Sequence, residues 1–222
     1  MDKDHYFQLL YPLQDVVLAK INRLQTGFYL SGGTAASRGY LQHRFSDDLD
    51  FFVNDDEDFK LWSERMIQAM NQPVEWHLEV IQKEERFVRL DLTQEGVRLK
   101  LELVNDVPAH VGAIVEHPVL GRIDSAENIL ANKLTALLDR EEPKDLADVW
   151  GFCSQMGLSL KEALSGARSK AAGIFPVDLA RVLLNTCDED LAIVHWIDRP
   201  DFAKCVKDLH TLGEKLLLLD EG

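Results

Sequence analysis

The chain is poor in basic residues. Its 24 Lys and Arg stand against 38 Asp and Glu, a formal net charge of −14 over 222 residues. A broad, sequence-independent grip on nucleic acid works by neutralising phosphates with Lys and Arg, so that function class is disfavoured and only a local basic groove has room. Cysteine is scarce as well. Cys153, Cys187 and Cys205 are odd in number, widely spaced and without metal-ligand spacing, which reads as reduced, mostly buried thiols. No apolar run reaches the roughly 18–20 residues that span a bilayer. The start, Met1-Asp2-Lys3-Asp4-His5, lacks the charged-then-apolar layout of a signal peptide. A cytoplasmic protein with no membrane partner is therefore expected. There is no internal repeat, no low-complexity linker, no Ser-His-Asp or Cys-His nucleophile set and no tight zinc cluster. Apolar residues are plentiful at 46%, enough to fill the core of one large domain or two small ones.

One stretch organises the rest: Leu30-Ser31-Gly32-Gly33-Thr34, followed by His43-Arg44-Phe45-Ser46-Asp47-Asp48-Leu49-Asp50-Phe51-Phe52. It reads as strand, glycine turn, short helix, loop, and a strand carrying two acids. Glycine is useful where backbone approaches a ligand closely or takes positive φ. Asp48 and Asp50 are two apart, so on a strand they point to one face. Same-face carboxylates repel unless a cation lies between them, and a divalent ion with oxygen ligands suits that place. Unpaired N–H groups at the start of the following helix suit phosphate. Thr34 reads as the N-cap of a helix over about 35–41; its hydroxyl or that of Ser31 is the alternative phosphate contact. Taken singly, a glycine pair is usually a turn and an acid pair at a strand end is usually solvated. The two in succession suggest nucleotide chemistry.

Elsewhere the patterning is regular. Apolar positions from Tyr6 to Leu24 have helical spacing, with Pro12 either starting the main helix or kinking a preceding turn. Asn54-Asp55-Asp56 is expected to cap a helix whose core face holds Phe59, Trp62, Met66, Ile67 and Met70, stopped at Asn71-Gln72-Pro73. A strand over 75–82 precedes a hairpin, 87–92 and 97–104, with its turn at Gln94-Glu95-Gly96. On the second hairpin strand Leu99, Leu101 and Leu103 face one side while Arg98, Lys100 and Glu102 face the other. Residues 107–118 have no clear pattern, and 119–123 reads as a last short strand. From Asp124 the period becomes helical. Asp124-Ser125-Ala126-Glu127 resembles a capping box opening a helix to about Asp139. A break at Arg140-Glu141-Glu142-Pro143 follows, then helices from Lys144 to about Gly157 and over 159–172, 176–186 and 201–219. The expected organisation is an α/β (α+β) fold: a mixed sheet with flanking helices over 1–123 and a helical part over 124–222 packed on it.

The stretch Gly32-Gly33-Thr34-Ala35, then His43-Arg44-x-Ser46-x-Asp48-Leu49-Asp50-Phe51-Phe52, closely resembles the AbiEii/AbiGii-type nucleotidyltransferases of the polymerase-β-like superfamily, several of which are bacterial toxins paired with an antitoxin. A second signature of that family is matched by Lys133-Leu134-x-Ala136, Arg140, Lys144-Asp145 and Asp148. The resemblance covers roughly residues 28–53 and 126–150, in the family's order. It implies Mg²⁺- or Mn²⁺-dependent transfer of a nucleoside monophosphate from an NTP to an acceptor hydroxyl. The acceptor it implies is an RNA or tRNA end or a protein side chain, and an antitoxin is an implied partner. Asp48 and Asp50 become metal ligands, and a third carboxylate is expected on a neighbouring strand. Glu102 is the choice for it and Asp91 the rival. A cross-strand partner for a basic residue is the plain structural reading of Glu102. Lys133 becomes a triphosphate contact, with Asp145 orienting it. Arg44 and Lys144 join Ser31, Gly32, Gly33 and Thr34 as nucleotide-contacting candidates, and Arg38, Arg44, Lys133, Arg140 and Lys144 form a candidate basic patch. The plain reading of Asp145 and Asp148 is charge stabilisation of a helix N-terminus. His43 reads as a support for the loop before the acids. The competing functional classes are a non-catalytic NTP- or partner-binding module on the same fold and a transferase acting on a small molecule.

Overall fold

The computed structural model describes residues 3–72, 75–140 and 142–218. Pro73, read as part of a helix stop, Glu141 of the break, Met1 and Asp2 at the start, and the end of the last helix at 219 lie outside the described residues. The chain forms two compact units. The first gathers the chain up to Gly39, Phe45–Pro108 and Ala113–Asp124; the second gathers Tyr40–Arg44, Ala109–Gly112 and the chain from Ser125 on.

Among the described residues the strands of the first unit are β1 (Tyr29–Ser31), β2 (Leu49–Asn54), β3 (His77–Lys83), β4 (Phe87–Gln94), β5 (Val97–Asp106), β6 (Val115–His117) and β7 (Gly121–Ile123). They form one seven-stranded mixed sheet of order β3-β4-β5-β2-β1-β7-β6. The β2–β5 and β1–β7 pairs are parallel and the remaining pairs antiparallel. Period-two alternation decides which face is core. Leu49 and Phe51 of β2, Leu90 and Leu92 of β4, and Leu99, Leu101 and Leu103 of β5 are buried. Burying each such side chain contributes about 1.5–3 kcal/mol, so a one-residue register slip, which would turn all of them outward, is strongly disfavoured. The β4–β5 turn has positive φ at both Glu95 (48°) and Gly96 (83°), the two-residue type I′ geometry whose twist matches a hairpin.

Three consecutive helical segments precede β1: Lys3–His5, a π-helical turn Tyr6–Leu10, and Tyr11–Ile21. Pro12 has no N–H to give the i→i−4 ladder, and the wider π turn lies immediately before it. Phe59–Met70 is an amphipathic helix with Phe59, Met66 and Met70 buried. The second unit contains the helices Ala126–Arg140, Pro143–Trp150, which continues as a π-helical turn Gly151–Gln155, Leu160–Lys170, Pro176–Asn185, Asp188–Ala192 and Phe202–Leu218.

Several local readings are corrected. Thr34 is not an N-cap: the helical turn begins at Gly32 and Ser31 is the cap residue. Asn54 is the last residue of β2, and Asp58 precedes the helix Phe59–Met70. Asp56 acts one step earlier, its Oδ1 accepting from the Asp58 amide at 2.8 Å. At the helix Ala126–Arg140 the capping side chain is Ser125, whose Oγ accepts from the Asn128 amide at 3.0 Å. The unassigned stretch before residue 119 holds β6, and Asp188–Ala192 is a helix that periodicity is too short to reveal.

Candidate functional site

In the sheet unit, the glycine turn and the acid strand touch directly. β1 and β2 pair with Ser31 opposite Asp50. Gly32 then turns the chain at φ +65°, and a Cβ there would lie 2.1 Å from Asp50 Oδ2. Only glycine leaves room for this carboxylate and adopts this backbone without strain. The hydroxyls on either side are engaged within the unit. Ser31 Oγ donates to Asp124 Oδ2 at 2.6 Å, and Thr34 is buried with its Oγ1 donating to the Asp48 carbonyl and hydrogen-bonded to the Ser46 hydroxyl at 3.0 Å. Thr34 thus ties the glycine turn to the residue that begins the acid pair. Gly33 lies inside the Gly32–Thr34 helical turn.

The third acid comes from the β2–β5 pairing. Asp50 is in register with Glu102, and residues in register share a face. Glu102 also has the basic cross-strand partner of its structural reading: Arg89, in register on β4, donates to its Oε1 at 2.9 Å from Nε and 2.8 Å from Nη2. Lys100, two residues before Glu102, places Nζ 2.8 Å from Asp48 Oδ2 and 3.3 Å from Glu102 Oε1. Burial alone would lower the Lys100 pKa, but the Asp48 hydrogen bond and the charges of Asp48, Glu102 and Asp50 raise it above its usual value. The rival acid, Asp91, lies across from Lys100 on β4. It is ion-paired through Oδ2 to Arg98, and its buried Oδ1 has no hydrogen-bond partner among the described residues.

Among the described residues, no three His, Cys, Asp or Glu side chains converge closely enough to hold a metal ion. The oxygen-only donor chemistry of Asp48, Asp50 and Glu102 nonetheless fits a hard divalent cation, and the Lys100 ammonium already contacts two of these acids as a cation. By strand parity alone Lys100 belongs only to a polar strand face. Its i, i+2 spacing to Glu102 was visible; its reach to Asp48 depends on the β2–β5 register.

In the helical unit the second motif folds into a buried ionic cluster. Asp145 lies in the first turn of the helix Pro143–Trp150, and both Asp145 and Asp148 are fully buried. Lys133 Nζ lies 2.7 Å from Asp145 Oδ1 and 2.6 Å from Asp148 Oδ2, with its side chain only 7% exposed. Arg140 donates to Asp145 Oδ2 from Nε and Nη2, both at 2.8 Å. Arg44 grips Asp148 in a bidentate fork, Nε to Oδ1 at 2.7 Å and Nη2 to Oδ2 at 2.8 Å. His43 Nε2 sits 3.0 Å from Asp148 Oδ1, and its carbonyl accepts from the Ile197 amide at 3.0 Å. Burial would raise the Asp148 carboxyl, but Arg44 and Lys133 beside it, with the His43 and Arg44 hydrogen bonds, hold it well below the usual carboxylate range. Lys144 is half-exposed and pairs with Glu142 at 2.8 Å. The candidate basic patch is thus largely neutralised by its own side chains. Arg38 likewise bonds Gln14 and Asp15.

Residues 17–215 match the model of the family described as nucleotidyl transferase AbiEii toxin, type IV TA system. A protein of Aquifex aeolicus (strain VF5), itself described as uncharacterized, is 29% identical over 141 residues, which make up 61% of this chain and 62% of that protein. The chain therefore spans less than two thirds of that relative. Among solved structures, JHP933 from Helicobacter pylori superposes with a TM-score of 0.62 at 20% identity, covering 95% of this chain and 92% of the other. The nucleotidyltransferase toxin MenT4 of Mycobacterium tuberculosis H37Rv gives a TM-score of 0.65 at 18% identity, covering 94% and 83%. At these identities the likeness is one of fold, a mixed sheet with flanking helices.

Proposed function

The chain belongs to the AbiEii nucleotidyltransferase toxin family, and from that membership we propose that it transfers a nucleoside monophosphate from an NTP to an acceptor hydroxyl with release of pyrophosphate. The observation that carries the proposal is the register of Asp50 with Glu102, with Asp48 joined to Glu102 through Lys100 and Asp50 packed against the glycine turn at Gly32. In this reading Asp48, Asp50 and Glu102 would hold Mg²⁺ or Mn²⁺, which when bound supplies positive charge to the phosphate oxygens. Glu102, oriented by Arg89, accepts the proton of the attacking hydroxyl. The amides that follow Gly32 face phosphate. In the helical unit Lys133 is the proposed triphosphate contact and Asp145 orients its ammonium. Such transfer depends mainly on positioning and charge compensation, and residues held by ion pairs suit that demand.

The acceptor we propose is an RNA end, such as that of tRNA, or a protein side chain, and the biological role is that of a toxin countered by an antitoxin. Incubation with each α-labelled NTP, total RNA and total protein tests this, with Asp50→Asn as control. Metal-dependent label in one macromolecular fraction, lost in Asp50→Asn, is the expected result. Label in a small molecule would replace the acceptor class. One observation favours a second reading, a non-catalytic nucleotide- or partner-binding module: Lys100 and Arg89 already compensate the acids. NTP binding with no label in any fraction would select that module.

A further inference from the structure

We propose that Lys100 is a displaceable counter-ion, which holds Asp48 when no divalent ion is bound and moves to Asp91 when one is. The inference rests on the metal-dependent reading above and adds a residue that reading does not use. Three observations on the sheet unit carry it. Lys100 Nζ lies 2.8 Å from Asp48 Oδ2 and 3.3 Å from Glu102 Oε1, so an ammonium sits against two of the three acids assigned to the metal. A divalent ion approaching Asp48 meets this positive charge at short range. Glu102 has a second cation in Arg89, at 2.8–2.9 Å, and so keeps a partner if Lys100 leaves. Asp91 supplies the other resting place. It is in register with Lys100 on β4, it is 7% exposed, and its Oδ1 has no hydrogen-bond partner among the described residues although Oδ2 is held by Arg98.

An unpaired buried carboxylate oxygen is costly and normally finds a donor. Side chains in register across an antiparallel pair have Cβ atoms about 4.5–5.5 Å apart, well within reach of a lysine. Moving Nζ from Asp48 to Asp91 Oδ1 therefore exchanges one carboxylate partner for another and satisfies the orphaned oxygen. No bond is made or broken beyond hydrogen bonds and ion pairs. Asp91, the rival third acid, acquires a role as the acceptor of the displaced lysine instead of a ligand.

Calorimetric titration of the whole chain with Mn²⁺ alone, without nucleotide, tests this. Removing the competing ammonium in Lys100→Met should raise Mn²⁺ affinity by roughly fivefold or more, the scale of a partly exposed ion pair. Lys100→Gln should do the same, which guards against a folding defect in the first variant; thermal melts report the fold of each. Asp91→Asn should lower Mn²⁺ affinity several-fold in the wild-type background and leave it unchanged in the Lys100→Met background, because the acceptor matters only while the lysine is present. Equal affinity, or weaker binding, in both Lys100 variants overturns the counter-ion. An Asp91→Asn loss of the same size in both backgrounds overturns the relocation and makes Asp91 a ligand, and no Asp91→Asn effect in either background also overturns it. Failure of the proposed function is distinguishable: wild type and Lys100 variants would then all bind no Mn²⁺.

Discussion

Gly32 shows how much one residue can decide. Its φ of +65° and the 2.1 Å separation between a built Cβ and Asp50 Oδ2 act together. Gly32→Ala should cost about 1–3 kcal/mol, the range for a residue held in a sparsely populated backbone region. It should also push the Asp50 carboxylate aside, so thermal denaturation and labelled-NTP transfer should both fall. The carboxylates separate by partner. Glu102 faces Asp50 in register and is steadied by Arg89, whereas Asp91 is committed to Arg98. With Mg²⁺ in saturating excess, Glu102→Gln should therefore cripple transfer and Asp91→Asn should retain it. The opposite pattern in the labelling assay would give Asp91 the third-acid role.

Among the elements, β5 and the helix Pro143–Trp150 use opposite strategies. β5 alternates buried leucines with polar residues, so its core side and its polar side are separated by simple parity. The helix Pro143–Trp150 buries two carboxylates, Asp145 and Asp148, and depends on Arg44, Lys133, Arg140 and His43 to compensate them. Removing one member of a buried ion cluster leaves the others uncompensated. Asp148→Asn should destabilise the protein by about 3–5 kcal/mol. Lys144→Ala, which breaks a half-exposed pair with Glu142, should cost about 0–1 kcal/mol. Urea denaturation of the two variants checks the contrast; similar losses would remove the special standing of the cluster.

Acid stability is a property of the whole molecule, and His43 and Asp148 set its expected form. His43 is buried, and desolvation lowers its pKa below the ordinary 6.5, outweighing the Asp148 hydrogen bond that opposes it, while Arg44 and Lys133 push the same way as burial. The unfolded chain then binds more protons than the folded one, so stability is in place above about pH 6.5 and declines as pH falls below it. Asp148 is held well below its ordinary 3.8, so its contribution is present above that value and lost as pH falls further. Melting temperature against pH should show an earlier decline beginning near 6.5 and a later one below about 3.8. His43→Gln should remove the earlier decline. The net charge of −14 and the internal neutralisation of Arg38, Arg44 and Lys133 leave little surface for non-specific polyanion binding. Among the described residues no helix is long and apolar enough to cross a membrane.

The sequence by itself determined the parts written in local spacing. Leucines at every second position marked the core face of β5, the pair Glu95-Gly96 marked its hairpin, and the glycine turn followed by Asp48 and Asp50 marked both the family and the sheet face to watch. These were legible because strand parity and turn conformation are properties of residues close in the chain. Only the tertiary structure decided who meets whom. The opposition of Asp50 and Glu102 depends on the parallel register of β2 on β5, the reach of Lys100 to Asp48 depends on the same register, and Arg44 finds Asp148 rather than a neighbouring acid. Asp145 and Asp148 have the sequence signature of helix-start charges; packing around Lys133 buries them. Burial and long-range pairing are set by the whole chain at once, so no local pattern specifies them.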